Sequence, residues 1–368
     1  MDRKGIPHLA NSYLKHDKGC IEMALETDDL QAKLSDYIAK HIVKRKEIEL
    51  TDFSQPSGGW SDETFMFTIC WEENNQKKTK DFVVRKVKKD GLMAKNKNLF
   101  PQYKMLAMLS ENTSLPVPKV YSYEKDESVL NGEFFVMEKL EGKSYVPWSK
   151  EGRKFFAEAA KSKNITGEFV RYLVDLHTFD YKSIGFEPSA NEPDFITYLD
   201  EKIKDLEDRY LAYKFYDDPV ITDAMEWLKH NKPNPVPLSI IHNDYRTGNL
   251  LYKDDHISGI LDWEAAEIGD PRMDLAYVCA KPNRMDSPLV CYLLERDRFL
   301  SSYREQSNID FTDEDIYYYE VYHQFRFLLI SLSAAHAFVR EMSTDLRMSR
   351  QGYRLTLMKN MLAELLGY

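Results

Sequence analysis

The sequence predicts an α+β chain in two lobes, a small β-rich N-terminal lobe and a larger, mostly helical C-terminal lobe. Three observations predict it. Runs rich in β-branched and aromatic residues cluster in the first ~140 residues. Apolar residues at helical spacing dominate the rest. A length of 368 residues suggests about two domains and allows a large core.

Taken in order, Leu30, Leu34, Tyr37, Ile38 and Ile42 recur at helical spacing, so a helix is expected from about Thr27 to Val43, with Thr27 as its cap. The period then changes. "EIELTDF", "ETFMFTICW" and "DFVVRKV" read as strands, with "SQPSGGWSDE" as a turn-rich linker between the first two and Asn74-Asn75 as the turn between the others. A helix is expected from about Asn98 to Ser110. "KVYSYEKD" and "GEFFVMEKL" form another strand pair, and helical patterns run from Glu151 to Lys229 with breaks near Pro188 and Pro193. A small strand cluster follows around residues 238–262, then a helix near Arg272 to Cys279 and further helices to the end. The boundaries implied are an N-terminal lobe at 1–138, a hinge at 139–143 and a helical lobe at 144–368, with a ligand expected in the cleft between lobes.

Composition narrows the function. Apolar residues make up 43 % and the charges are well mixed, which excludes a disordered chain. The net charge is −10, and only short mixed tracts such as "RKVKKD" are basic, so nucleic acid is not the expected partner. The four cysteines, Cys20, Cys70, Cys279 and Cys291, form no C-x-x-C, and their sparseness fits a reducing compartment. No stretch approaches the ~18 apolar residues of a membrane span, and the start lacks a signal-peptide core. The expectation is a cytoplasmic protein with no membrane partner. Nothing in the sequence sets its oligomeric state.

The most informative stretch is "IIHNDYRTGNLLY", residues 240–252. It reads as two short strands flanking an exposed polar turn, and the turn carries H-x-D-x-x-x-x-N. Phosphoryl transfer needs a group to take the acceptor hydroxyl's proton and oxygen ligands for Mg²⁺. Asp244 and Asn249 stand at the spacing for the base and one ligand. "NLLYKDDHISGILD" should fold as a hairpin that returns Asp262 beside Asn249, supplying a carboxylate for the metal. The plainer alternative is a polar turn whose Asp244 and Asn249 satisfy its own backbone.

"HNDYRTGN", "LDWEAAEIGDPRMDLAY" and "SGGWSDETF" together resemble the aminoglycoside phosphotransferase family, which shares the protein-kinase-like fold and includes choline kinases. The pattern is most similar to the kinase-like domain associated with acyl-CoA dehydrogenases, and it covers about Phe53 to Ala280. The resemblance implies a bilobal protein-kinase-like fold. It makes Asp244 the catalytic base and Asn249 and Asp262 the Mg²⁺ ligands. His242 and Arg246 support the loop, Glu264 stands near metal or acceptor, and Asp274 anchors the loop from a helix start.

For the nucleotide, ATP with GTP as the alternative, Ser57, Gly58 and Gly59 lie where a phosphate-covering loop belongs. Strand alternation puts Arg85 on the face of Val83, where it corresponds to the phosphate-gripping cation, and leaves Lys86 as a solvated charge. Gln102 stands where relatives usually carry a glutamate, so it can hydrogen-bond Arg85 but not neutralise it. Backbone groups of Glu138 and Leu140 fall where the hinge meets adenine. His177 in "YLVDLHTFD" is expected as a hydrogen-bonded core histidine. "DIYYYEVYHQFRFLLISL" is expected as a packing helix with tyrosine hydroxyls at its rim, or as the wall of an acceptor pocket.

These readings imply an ATP-dependent kinase acting on the hydroxyl of a small molecule: a hydroxyacyl compound, an aminoglycoside or an amino alcohol. The alternative is a nucleotide-binding pseudokinase that serves as an interaction module, which Gln102 favours. A protein kinase fits less well, because "GDPRMDLAY" follows Asp262 with little room for an activation loop.

Overall fold

In the computed structural model, residues 28–56, 62–88, 98–187, 193–343 and 345–368 are described. Thr27, Cys20, Pro188 and the linker residues Ser57, Gly58, Gly59 and Ser61 lie outside them. The chain divides into two compact units, Met1–Tyr103 with Val120–Lys139, and Lys104–Lys119 with Leu140–Tyr368.

The first unit is built on an antiparallel sheet of order β1-β2-β3-β5-β4. Its strands are β1 (Glu49–Ser54), β2 (Asp62–Glu73), β3 (Gln76–Val87), β4 (Val120–Glu124) and β5 (Phe134–Glu138). Helix α1 (residues 28–38) precedes them and ends in a π turn, Ala39–Val43. Period-2 alternation assembles the core: Phe65, Phe67 and Ile69 of β2, Phe82 and Val84 of β3, and Phe134 and Val136 of β5 pack with Leu34, Tyr37 and Ile38 of α1. Strands β2 and β3 pair over twelve positions, from Asp62 opposite Val87 to Glu73 opposite Gln76. Asn74 and Asn75 close this hairpin at φ of 53° and 57°, the left-handed pair that a two-residue turn requires. The other sheet face carries Val83, Arg85 and Phe135, with Tyr103 of α2 (Phe100–Asn112) tilted against Phe135.

One expectation fails here. Lys86 shares the parity of Phe82 and Val84, so its stem is buried with them rather than solvated. Glu63, its register partner on β2, forms an ion pair with its ammonium.

The second unit takes the remainder of α2 and the loop after it, which hydrogen-bonds to the unit through Ile260 N–H and Pro116 O (2.8 Å). Its helices are α4 (Lys150–Ala159), α5 (Lys163–Thr178), α6 (Phe195–Tyr213), α7 (Pro219–His230), α8 (Pro271–Cys279), α9 (Lys281–Arg284), α10 (Arg296–Ser307), α11 (Asp313–Val339), α12 (Leu346–Tyr353) and α13 (Leu355–Leu365). The remaining helix, α3 (Glu127–Leu130), belongs to the first unit. Local chemistry starts several of them. Asp218 caps α7 ahead of Pro219, Asp270 caps α8 ahead of Pro271, and Thr312 with Asp315 forms a capping box on α11.

The aromatic stretch expected as a packing helix is α11. Its tyrosine hydroxyls are not at a rim: Tyr318 donates to Leu228 O at 3.1 Å and Tyr319 to Asp270 Oδ2 at 2.6 Å, both buried. Long-range packing encloses this part of the helix, and the Tyr318 and Tyr319 hydroxyls have each found an acceptor there.

The loop strands also differ from expectation. β6 (Ser239–Ile241) pairs with β9 (Glu267–Gly269), whereas β7 (Leu250–Lys253) pairs with β8 (His256–Ile260). The loop between β6 and β7 therefore joins two separate ribbons. It is no exposed turn, since His242, Asn243, Thr247 and Asn249 are all buried.

Candidate active site

The loop from His242 to Asn249 is shaped by one buried carboxylate. Asp274, in the first turn of α8, accepts the backbone N–H of His242 on Oδ2 and of Asn243 on Oδ1, both at 2.7 Å. His177 of α5 sits 3.1 Å away through Nε2, and its Nδ1 meets Tyr303 Oη at 2.7 Å. Burial by itself would raise Asp274, but the hydrogen bond and charge of His177, with His242 behind them, hold it below the ordinary aspartate value of 3.8. Asn243 takes φ of 65°, a left-handed turn that asparagine tolerates, and this turn lets both N–H groups aim at one carboxylate.

Beyond that turn, Asp244 presents its carboxylate to three donors. Asn249 Nδ2 reaches Oδ2 at 2.6 Å and also bonds the Asp244 carbonyl at 2.9 Å. Arg246 Nε reaches Oδ1 at 3.2 Å, and the Tyr277 hydroxyl donates to the same oxygen. Burial first, then the Asp244 charge, push the Tyr277 hydroxyl far above its usual range, so it stays a donor. Arg246 folds back over Gly248, where a Cβ would stand 2.6 Å from its Nη1, so any larger residue there would push the guanidinium aside.

His242 ties this loop to the segment carrying Asp262. Its Nδ1 accepts the Asp244 backbone N–H at 3.2 Å, so the proton resides on Nε2, which donates to Leu261 O at 2.9 Å. Leu261 N–H in turn donates to Asn249 O at 2.8 Å. Asp262 is the next residue, held at φ of 65° at the head of a short 3₁₀ turn, Trp263–Ala265. An aspartate held in that conformation is the kind of strain that tertiary structure maintains at functional sites. The structure thus brings Asp244, Asn249 and Asp262 into one hydrogen-bonded neighbourhood. Glu264 is exposed two residues further on.

For Mg²⁺ the donor set is one amide and one carboxylate. Asn249 uses its Nδ2 on Asp244, which leaves its Oδ1 as a hard oxygen without a donor among the described residues, as are the Asp262 oxygens. That set fits a cation completed by phosphates and water. No group of three or more His, Cys, Asp or Glu positioned for a metal exists among the described residues.

In the first unit, Arg85 lies on the Val83 face and its Nη2 meets Asp62 Oδ2 at 3.3 Å. Asp62 opens β2, three residues after Gly59 in sequence. Gln102 does not bond Arg85; its Oε1 is buried with no donor among the described residues. The carboxylate that the helix lacks is therefore present at Arg85, delivered from the neighbouring strand. Glu138 closes β5 opposite Phe82. Leu140 begins the second unit, where Gly142, at φ of 128°, passes so close to Ser258 that a Cβ would stand 2.3 Å from its Oγ.

Sequence reasoning missed Tyr277, Asp62 and Arg326. The last donates from Nη1 to Asn243 Oδ1 at 3.2 Å. Tyr277 stood in the quoted "GDPRMDLAY", three residues after Asp274, and one helical turn places it on the same face. No local signal pointed to Arg326, because it lies on α11.

This fold, a five-stranded antiparallel sheet followed by a mostly helical unit with a pinned H-x-D-x-x-x-x-N loop, defines the kinase-like phosphotransferase class. The chain belongs to the phosphotransferase enzyme family, whose profile matches residues 52–306. Among solved structures, it is similar to a Ralstonia eutropha protein assigned as an aminoglycoside phosphotransferase. The TM-score is 0.67 at 22 % identity, over 91 % of this chain and 97 % of that one. A macrolide 2′-phosphotransferase type I matches with a TM-score of 0.59 at 17 % identity, over 91 % and 96 % of the two chains. Among curated sequences, the probable acyl-CoA dehydrogenase IBR3 of Arabidopsis thaliana is 28 % identical over 61 % of this chain and 27 % of its own length. Human acyl-CoA dehydrogenase family member 11 is 28 % identical over 68 % of this chain and 30 % of its own. The match therefore spans less than a third of these curated relatives. No helix among the described residues is long and apolar enough to cross a membrane.

Proposed function

We propose that this protein is an ATP-dependent small-molecule kinase that transfers the γ-phosphoryl group to a hydroxyl. The observation that carries the reading is the link His242–Leu261–Asn249, which joins the Asp244 loop to the Asp262 turn. Asp244, steered by Tyr277, Arg246 and Asn249, orients the acceptor hydroxyl and takes its proton. The acceptor oxygen bonds to the γ-phosphorus while the bond to the bridging oxygen breaks, and its electron pair leaves with ADP. Asn249 and Asp262 would hold Mg²⁺, which neutralises phosphate charge when bound. Arg85, oriented by Asp62, would grip the phosphates, and Ser57, Gly58, Gly59, Glu138 and Leu140 are the other nucleotide-binding residues of this reading, with the hinge at 139–143.

A solved aminoglycoside phosphotransferase, APH(4)-Ia, similar in fold at a TM-score of 0.55, is a ternary complex with AMP-PNP and hygromycin B, which supports nucleotide plus hydroxyl acceptor as the ligand pair. The acyl-CoA dehydrogenase relatives support a hydroxyacyl acceptor; aminoglycosides and amino alcohols are the other classes. The test is Mg²⁺-dependent phosphorylation across an acceptor panel. Asp244→Asn should lower transfer by about 10²–10⁴-fold while nucleotide still binds. Full activity in that variant would sink the assignment.

The second reading, a nucleotide-binding interaction module, rests on Gln102. The Asp62 carboxylate beside Arg85 weakens its electrostatic basis. Nucleotide binding with no turnover of any acceptor would favour it.

A further inference from the structure

The acceptor end of the site allows a narrower statement, which rests on the kinase reading. Three elements of the helical unit meet there: the catalytic loop, α8 through Tyr277, and α11 through His323, Arg326 and Phe327. The Phe327 ring stacks on Tyr277 at 5.7 Å and His323 meets it edge-on at 5.1 Å. Arg326 is half-buried, and its one hydrogen bond is to the Asn243 side chain, one residue before Asp244. No carboxylate lies within ion-pair distance of it among the described residues. Its remaining donors are not among the buried unpartnered atoms, so they are open to a ligand. The planar fork binds carboxylate or phosphate through paired hydrogen bonds.

The two carboxylates that share partners with Asn243 and Arg246 are already engaged. Asp244 has its three donors. Glu267 accepts from Lys202 at 2.5 Å, Asn243 at 2.9 Å and Tyr198 at 3.1 Å. Of the three cations here, Arg246 pairs with Asp244 and Lys202 with Glu267, whereas Arg326 has only the Asn243 side chain among the described residues. His323 adds no charge, since burial and then the Arg326 charge push its imidazole down to about 3.

We infer that the acceptor carries an oxyanion, a carboxylate or a phosphate, near its reacting hydroxyl, and that Arg326 binds this group. The anion takes no part in bond making. It orients the hydroxyl toward Asp244, and the proton and phosphoryl group move as described above. Arg326 is thus a specificity residue for the acceptor rather than for the nucleotide.

The experiment uses the full chain with Mg²⁺ and ATP, direct phosphorus detection of the product, and four probe types: short hydroxycarboxylates, their hydroxyamide isosteres, hydroxylated phosphate esters, and the cations choline and kanamycin. At least one anionic probe should be phosphorylated. The neutral isostere of a carboxylate substrate should lose about tenfold or more in kcat/KM. Which anion leads separates carboxylate from phosphate. In Arg326→Gln the KM for the anion should rise about tenfold or more, the KM for ATP should move less than about threefold, and Arg326→Lys should recover part of the loss. Higher kcat/KM for choline or kanamycin, or an anion KM unmoved by Arg326→Gln, would overturn the inference and leave the kinase reading standing. A folded protein that binds nucleotide yet phosphorylates no probe would overturn both.

Discussion

The two units hold their charged groups in different ways. In the helical unit, Asp274 is fully buried and both oxygens are taken by loop N–H groups, with His177 behind them. In the sheet unit, Arg85 is met by the Asp62 carboxylate at 3.3 Å, with about 16 % of its side chain exposed. A carboxylate whose partners are backbone groups defines the path of the chain itself. A side-chain ion pair on a strand defines only where one cation points. The comparison predicts that damage to the first will appear as lost stability and damage to the second as altered nucleotide binding.

The largest effect should come from Asp274→Ala, which leaves two buried loop N–H groups without an acceptor. Denaturant unfolding should show a loss of about 3 kcal/mol or more, along with loss of activity. The same carboxylate has a pH signature. Its folded value is depressed, so its contribution is complete above the ordinary 3.8 and declines as pH falls below that toward the folded value. Unfolding midpoints measured from pH 6 down to pH 3 should therefore drop less steeply at the acid end in Asp274→Asn than in the native protein. An identical acid limb would show that Asp274 is not held as described.

Next in size is the sheet-side pair. Asp62→Asn should raise the KM for nucleotide roughly three- to tenfold while changing the unfolding free energy little, and Gln102→Glu in that background should restore part of the affinity. If Gln102→Glu alone improves binding as much as Asp62→Asn harms it, then the helix, not β2, is the side from which Arg85 is best steered. Smaller still is Tyr277→Phe, which removes one donor from Asp244. It should lower kcat several-fold, with a stability change of about 1 kcal/mol. As a control, Lys204→Ala breaks an exposed i,i+4 pair with Asp208 on α6 and should leave both activity and the unfolding midpoint unchanged.

Much of the site was legible because its signals are short in sequence. Asp244 and Asn249 lie within one loop, and Asp262 returns beside them through a hairpin whose two-residue turn, Asp254-Asp255, carries the left-handed φ values of 49° and 64°. Tyr277 was within reach of the same logic at helical spacing. Arg326 was not, being 83 residues from Asn243 and brought there only by the packing of α11 on α8. Lys86 was misjudged because strand parity says which side a residue takes and not how deeply that side is covered. The exposed-turn reading of residues 242–249 failed for a related reason: a polar loop is solvated by default, unless a carboxylate elsewhere in the chain enters to satisfy its backbone.

By itself, the sequence determined the periodicities, the caps, the two-residue turns and the spacing of loop residues, since each depends on neighbours within a few positions. Only the tertiary structure decided which strand β6 would pair with, which carboxylate would meet Arg85, and which cation would stand beside Asn243. Those outcomes depend on burial and desolvation, and a side chain's burial is a property of everything packed around it.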